Sequence, residues 1–300
     1  MRLRVLLLSI LMLSRVLLHS SDAQRPFDPT GLNTNGLGMH FVPVRGTNVQ
    51  FSAYQTRVKD FRAFVRETGY VHMRETSDPD SRMWSLDRDG LKQRGNSWED
   101  PGFPQTGDHP VVGVSWYDAK AFCNWLTLRE RAAGRLPTDR EYRLPTDHEW
   151  SMAVGLEEED PAKTPQEKDQ RIPGTYPRGE WPEGKPPPAG AGNYAGEETD
   201  DGHWPAKFKV ISGYNDGFPR TAPVGSFKPN HGMFDLGSNV MEWCEEIYKP
   251  GSPDRVLRGA SWDDGARGAL LSSNRSHDSP AHRSDDVGFR CVEAPFPLKR

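Results

Sequence analysis

Apolar residues recur at helical spacing in three stretches of this 300-residue chain. Val58, Phe61, Phe64 and Val65 form the first stripe, which opens near Thr56 and is closed by Gly69, a residue suited to a left-handed helix cap. Ser115 and Asp118 make a capping-box start to a second helix. Its apolar face carries Ala119, Phe122, Cys123 and Leu126, and Gly134 follows its end. Thr146 and Glu149 open a third helix, running through Trp150 and Val154 to Gly155. Ahead of the first helix, residues 41–44 and 48–51 predict two short strands around a turn at Gly46.

The remaining pattern is mostly loop. Residues 78–110 alternate polar and aromatic and predict a long surface loop; residues 157–190, charged and then Pro-rich, predict an exposed one. The octet RLPTDREY at 135–142 is echoed by RLPTDHEW at 143–150. Two copies cannot stack a repeat core, so the echo reads as a short tandem duplication in a loop. Beyond Gly190 the chain is a series of Gly, Asn and Asp turns with aromatics between them. A disulfide, a metal or both are expected to pin that part.

Composition narrows the class. With 29 Gly and 26 Pro the chain cannot be a helical bundle or coiled coil. Its 9 Trp, 8 Tyr and 13 Phe exclude a disordered chain, although the mean hydropathy is −0.76. The net charge is −4 and there is no basic block, so nucleic acid is excluded as a partner. The N-terminus pairs Arg2 and Arg4 with an apolar run from 5 to 18, broken by Ser9, Ser14 and Arg15. Small residues Ser21 and Ala23 then suit cleavage after Ala23. The apolar run is shorter than the roughly 20 residues a membrane span needs. The pattern predicts a signal peptide at 1–23 and no membrane span after its cleavage. A secreted or periplasmic protein follows, with a linker at 24–38, one domain at 39–293 and a tail at 294–300. Three cysteines, Cys123, Cys244 and Cys291, allow at most one internal bridge, and spacing alone does not choose the pair.

Five segments together resemble the formylglycine-generating enzyme family, the sulfatase-modifying-factor domain. They are HPVVGVSWYDAKAFCNWL at 109–126, YRLPTDHEW at 142–150, TAPVGSFKPNHGMFDLGSNVMEWCEE at 221–246, and RVLRGASWDDG with RSDDVGFRCV at 255–265 and 283–292. The extended AGRLPTDREYRLPTD segment is similar to the bacterial branch of that family. The resemblance implies a loop-rich α+β domain with a C-type-lectin-like fold and little regular secondary structure. It also implies a Cys123–Cys291 disulfide, which leaves Cys244 as a buried free thiol.

Hard cations take carboxylate and carbonyl oxygens in Gly-rich loops. Carried over from the family, up to two structural calcium ions are implied. The first would use the Asn193 and Asp216 side chains with the Tyr194 and Phe218 carbonyls. The second would use the Asp235 and Glu242 side chains with the Ser238 and Val240 carbonyls. The alternative is that these acids cap turns through side-chain hydrogen bonds, without metal.

The family's oxidases hold copper(I) between two cysteines just after the GGS-aromatic segment. Here that segment begins Gly259-Ala260-Ser261-Trp262-Asp263-Asp264, and no cysteine lies between Cys244 and Cys291. Asp264 falls at the first thiolate position. Carboxylates do not suit copper(I), so that ion and cysteine-to-formylglycine oxidation are not expected. What the resemblance leaves is a ligand groove of Ser261, Trp262, Asp263, Asp264, Asn274 and Arg275, whose acidic rim suits a basic peptide or a polyol. Against it stands a plainer arrangement, with Trp262 in the core and the two acids on a solvated turn. His277, His282 and Asp285 could supply two nitrogens and one carboxylate to a replacement iron site, but their spacing matches no established signature, and the plainer reading is exposed loop histidines. The adjacent acid pairs Glu245–Glu246 and Asp285–Asp286 are expected to face solvent, and no G-x-S-x-G, HExxH or P-loop motif occurs. The expected function is a calcium-stabilised binding or maturation module for an unknown ligand, such as a peptide segment of an exported protein. The alternative is a metal-dependent oxidoreductase acting on a peptide or small molecule.

Overall fold

The computed structural model describes residues 33–71, 82–87, 90–93, 97–156, 160, 162–199, 204–205 and 207–296. The expected signal peptide, most of the expected linker and the last four residues of the tail lie outside the described residues.

The three sequence-legible helices form where their caps place them. α1 is Val58–Thr68 and ends at Gly69, with φ 66°. α2 is Trp116–Ala132, and its Ser115–Asp118 capping box is closed in both directions. α3 is Asp147–Val154, with the Thr146–Glu149 box in place and Gly155 left-handed at φ 95°. α4 is a single turn, Pro165–Lys168.

The strands are short. β1 is Asn33–Thr34, β2 His40–Pro43, β3 Gln50–Ser52, β4 Met83–Asp87, β5 Gly90–Gln93 and β6 Arg140–Arg143. β7 is Thr175–Tyr176, β8 Gly179–Glu180, β9 Met241–Ile247 and β10 Arg255–Arg258. β11 is Arg275–Asp278, β12 Arg283–Ser284, β13 Val287–Gly288 and β14 Val292–Pro295. One sheet runs β1-β2-β3-β14-β6, a second β11-β10-β9-β13 and a third β12-β4-β5, with β7-β8 as a small hairpin. The result is a mixed helix-and-strand architecture.

Several loop expectations are corrected here. β4 and β5 lie inside the expected 78–110 surface loop, where Met83, Leu86 and Trp98 are buried. The 157–190 segment contains α4 and the β7-β8 hairpin, and its Tyr176 and Trp181 rings stack 4.2 Å apart. Beyond Gly190, β9 extends for seven residues and puts Trp243 in the core. β1 lies within the residues expected as a linker, and β14 reaches Pro295. The RLPTD echo takes two conformations. The first copy leads into β6, paired antiparallel with β14, whereas the second caps α3.

The main core lies around α1 and α2. Phe61, Phe64, Phe122, Trp243 and Phe289 pack together there, with Cys123 and Cys291 among them. A second cluster under α3 holds Phe51, Trp150, Cys244 and Val256. Burial pushes the Cys244 thiol well above its ordinary pKa, so it behaves as a small apolar side chain. The candidate sites lie on the loops before β9, at its start and after β10.

Candidate functional site

The segment after β10 turns sharply at Ser261. Its backbone N–H and hydroxyl donate to Asp264 Oδ2 at 2.9 and 2.8 Å, and the same hydroxyl lies 2.5 Å from Asp263 Oδ1. Trp262 takes the core position. It is fully buried, donates through Nε1 to the Asp285 carbonyl, and lies edge-on to Phe103 and Trp204. It therefore offers no ring to a ligand. The Asp285–Asp286 pair, expected in solvent, is buried. Asp285 Oδ2 accepts from the Leu86 N–H at 3.0 Å, because β12 lies parallel to β4 and brings the pair under that strand.

Asp263, Asp264 and Asp286 act on one another electrostatically. Burial pushes the Asp263 carboxyl well above the carboxylate range, and the charges of Asp286 and Asp264 push it further. Burial also raises Asp264, and raises Asp286 to about 6. A cationic group placed here would relieve both the desolvation and the mutual repulsion. Asp286 is a member of this cluster that sequence reasoning missed, because adjacency to Asp285 says nothing about the fold bringing it to Asp263.

Asn274 and Arg275 are not brought into this acidic turn. Asn274 Oδ1 accepts from Gln170, and Arg275 is buried on Asp147. Asp147 gathers Arg258, Arg275 and Lys168. Burial would raise its carboxyl, but the three cations overcome that and hold it well below the usual carboxylate range. The expected iron donors separate too. His277 stacks on Tyr248 and pairs with Asp254, and His282 pairs with Asp278, while Asp285 turns to Leu86. Glu245 pairs with Lys120, and Glu246 accepts from the Asp147 N–H; neither is free in solvent.

The Cys123 and Cys291 sulfurs lie 3.5 Å apart as buried thiols, at the junction of α2 with the segment leading into β14.

The first oxygen cradle has buried acceptors without donors. Asn193 Oδ1 is buried and has no partner among the described residues, and neither Glu198 carboxylate oxygen has one. Asp216 accepts from the Tyr194 and Phe218 N–H groups at 2.9 and 3.0 Å, which is the turn-capping arrangement. Burial, with the neighbouring Glu198 charge, pushes its carboxyl up to about 7. The donorless Glu198 carboxylate, the neighbouring Asp216 carboxylate and the orphaned Asn193 amide oxygen are the donor types a hard cation takes. Glu198 was not legible as part of this set, since it lies on a 3-10 turn at Glu197–Thr199 with no motif of its own.

The second cradle is differently filled. The carbonyls of Asp235, Ser238 and Val240 and Glu242 Oε1 all accept from Gln55 Nε2, at 3.4, 3.1, 3.0 and 3.0 Å. Glu242 is also held by Arg290 and Trp150. An amide nitrogen at the centre of these oxygens does not fit a cation at the same point. Gln55, between β3 and α1, is another residue that local pattern could not single out.

The sulfatase-modifying factor enzyme 1-like domain matches residues 39–295. The inactive C-alpha-formylglycine-generating enzyme 2 of Bos taurus is 30% identical over 280 residues, covering 83% of this chain and 79% of that protein. The formylglycine-generating enzyme of Streptomyces coelicolor is 30% identical over 275 residues, covering 77% and 74%. Among solved structures, PvdO from Pseudomonas aeruginosa has a TM-score of 0.53 at 21% identity, covering 82% of this chain and 80% of PvdO, so the fold is shared. The matched domain and the relatives' two-way coverage show that this chain belongs to the sulfatase-modifying-factor family, the family of the formylglycine-generating enzymes.

Proposed function

We propose that this chain is an exported binding or maturation module of the family, with no thiol–copper oxidase activity. It would act in the secreted or periplasmic space on a C-type-lectin-like scaffold. The observation that carries this reading is Asp264. It stands at the first thiolate position, fastened by Ser261, with Asp263 and Asp286 completing an acidic cluster. Soft copper(I) chemistry needs thiolates, and the chain has no cysteine in that segment. Relatives of Bos taurus and Mus musculus that bear the name inactive C-alpha-formylglycine-generating enzyme 2 support the same direction.

The ligand best suited to the cluster is a basic peptide segment of an exported protein. A polyol loses its aromatic platform once Trp262 is in the core, whereas a Lys or Arg side chain matches the mutually repelling carboxylates of half-buried Asp263 and Asp264 and buried Asp286. Structural calcium belongs to the same reading. Asn193, Asp216 and the Tyr194 and Phe218 carbonyls would hold it and tie the loops after Gly190 together.

The test is fluorescence anisotropy with labelled Lys- and Arg-rich peptides against neutral ones, on wild type and Asp264→Asn. Selective binding that falls at least tenfold in a folded variant supports the groove. Equal binding by both proteins removes it. Stoichiometric iron or copper with oxygen consumption would instead favour the replacement-centre oxidoreductase.

A further inference from the structure

Three buried amides connect the two oxygen cradles. Asn193 Nδ2 donates to Asn239 Oδ1 at 3.1 Å, and Asn239 Nδ2 donates to Gln55 Oε1 at 3.3 Å. Backbone groups fix the direction of this chain. The Ala222 N–H donates to Asn239 Oδ1 at 2.9 Å, and the Ala222 carbonyl accepts from Asn239 Nδ2 at 3.1 Å. Asn193 Nδ2 is further anchored on the Arg220 carbonyl at 2.8 Å. Turning any one amide over would set donor against donor or acceptor against acceptor. Asn239 itself sits at φ 70°, a left-handed position that Asn tolerates.

The fixed direction gives the two ends opposite chemistry. At the first cradle the chain ends in Asn193 Oδ1, an acceptor with no donor among the described residues. The Glu198 carboxylate acts on Asp216 of the same cradle and is folded over Gly196, where an added Cβ would meet its oxygens at 2.5 and 2.6 Å. At the second cradle the chain ends in Gln55 Nε2, a donor already surrounded by four oxygens. Asp235 Oδ1 has no partner there, but it shares a small cavity with the equally unpartnered Asn230 Nδ2. That pairing of acceptor and donor suits a buried water.

We infer that the Asn193–Asn239–Gln55 amide chain assigns the two cradles different occupants. The first takes one hard divalent cation, with Glu198 as an additional ligand, and Gln55 Nε2 replaces the ion in the second. The inference deepens the calcium part of the proposed function and rests on it.

The experiment counts calcium in the full chain by elemental mass spectrometry after equilibration and desalting, with titration calorimetry for affinity. Wild type should hold one calcium per chain, and Glu198→Gln should bind it at least tenfold more weakly. Gln55→Glu should hold two, because a carboxylate among those four oxygens cannot donate and requires a cation. Refolding that variant in calcium keeps the count measurable if it is unstable without the ion. Two ions in wild type, or no gain in folded Gln55→Glu, overturns the inference and leaves structural calcium standing. No ion in wild type overturns both.

Discussion

Arg290 and Glu242 form a fully buried, two-pronged ion pair: Arg290 Nη2 donates to Glu242 Oε1 at 2.7 Å and Nε to Oε2 at 2.8 Å. The guanidinium also donates to the Ser52 and Phe234 carbonyls, while Trp150 Nε1 reaches Glu242 Oε2. The pair thus joins the segment after β13 to β9, β3 and α3. Removing one partner strands the other charge away from water. Arg290→Met should lower unfolding free energy by about 3–5 kcal/mol, measured by urea denaturation. A loss within experimental error would mean the pair is not the clamp described.

Asp147 poses the converse problem, one anion against three cations. Asp147→Asn leaves Arg258, Arg275 and Lys168 buried without their shared counter-charge. A loss of about 3–5 kcal/mol is expected at neutral pH, and Lys168→Met made on top of it should recover part of the loss. No recovery in the double variant would argue against charge as the cause.

Cys123 and Cys291 are separated by 168 positions but lie with their sulfurs 3.5 Å apart. Proposed export makes a disulfide the expected state there, adding about 5 kcal/mol in the chain-entropy model. Thiol labelling under denaturing conditions should find one free cysteine, Cys244, in protein from an oxidising compartment. Three free thiols would refute the bridge.

Stability should fall as pH rises through the mildly acidic range. Burial pushes Glu246 from 4.5 up to about 7, with the Asp147 charge adding to it. A raised folded-state pKa means the contribution is complete below about 4.5 and disappears by about 7. Asp286, raised to about 6 chiefly by burial, adds a slope of the same sign. Thermal midpoints of wild type and Glu246→Gln across that window provide the check, and the variant should show the shallower fall. Parallel curves would remove Glu246 as a source.

The helix stripes and their caps were legible because they are local. Ser115–Asp118 and Thr146–Glu149 satisfy backbone donors three residues away, so the residues that make the motif also make the bond. The β4–β5 hairpin was not legible, because its burial depends on β12, some 200 positions later, lying against β4. Nor could the RLPTD echo reveal its two outcomes. The pairing of β6 with β14 decides the first copy, and no local rule contains that strand.

By itself, then, the sequence determined the helices, the family-like motifs and the absence of a thiolate pair after Ser261, all of which depend on residue identity and short spacing. Tertiary structure alone decided which polar groups meet. It sent Trp262 to the core and Arg275 to Asp147, and brought Asp286 to Asp263. It also set Gln55 among oxygens contributed 180 and more positions away. The physical reason is that buried donors and acceptors must find partners wherever packing places them, and those partners follow from the folded topology rather than from distance along the chain.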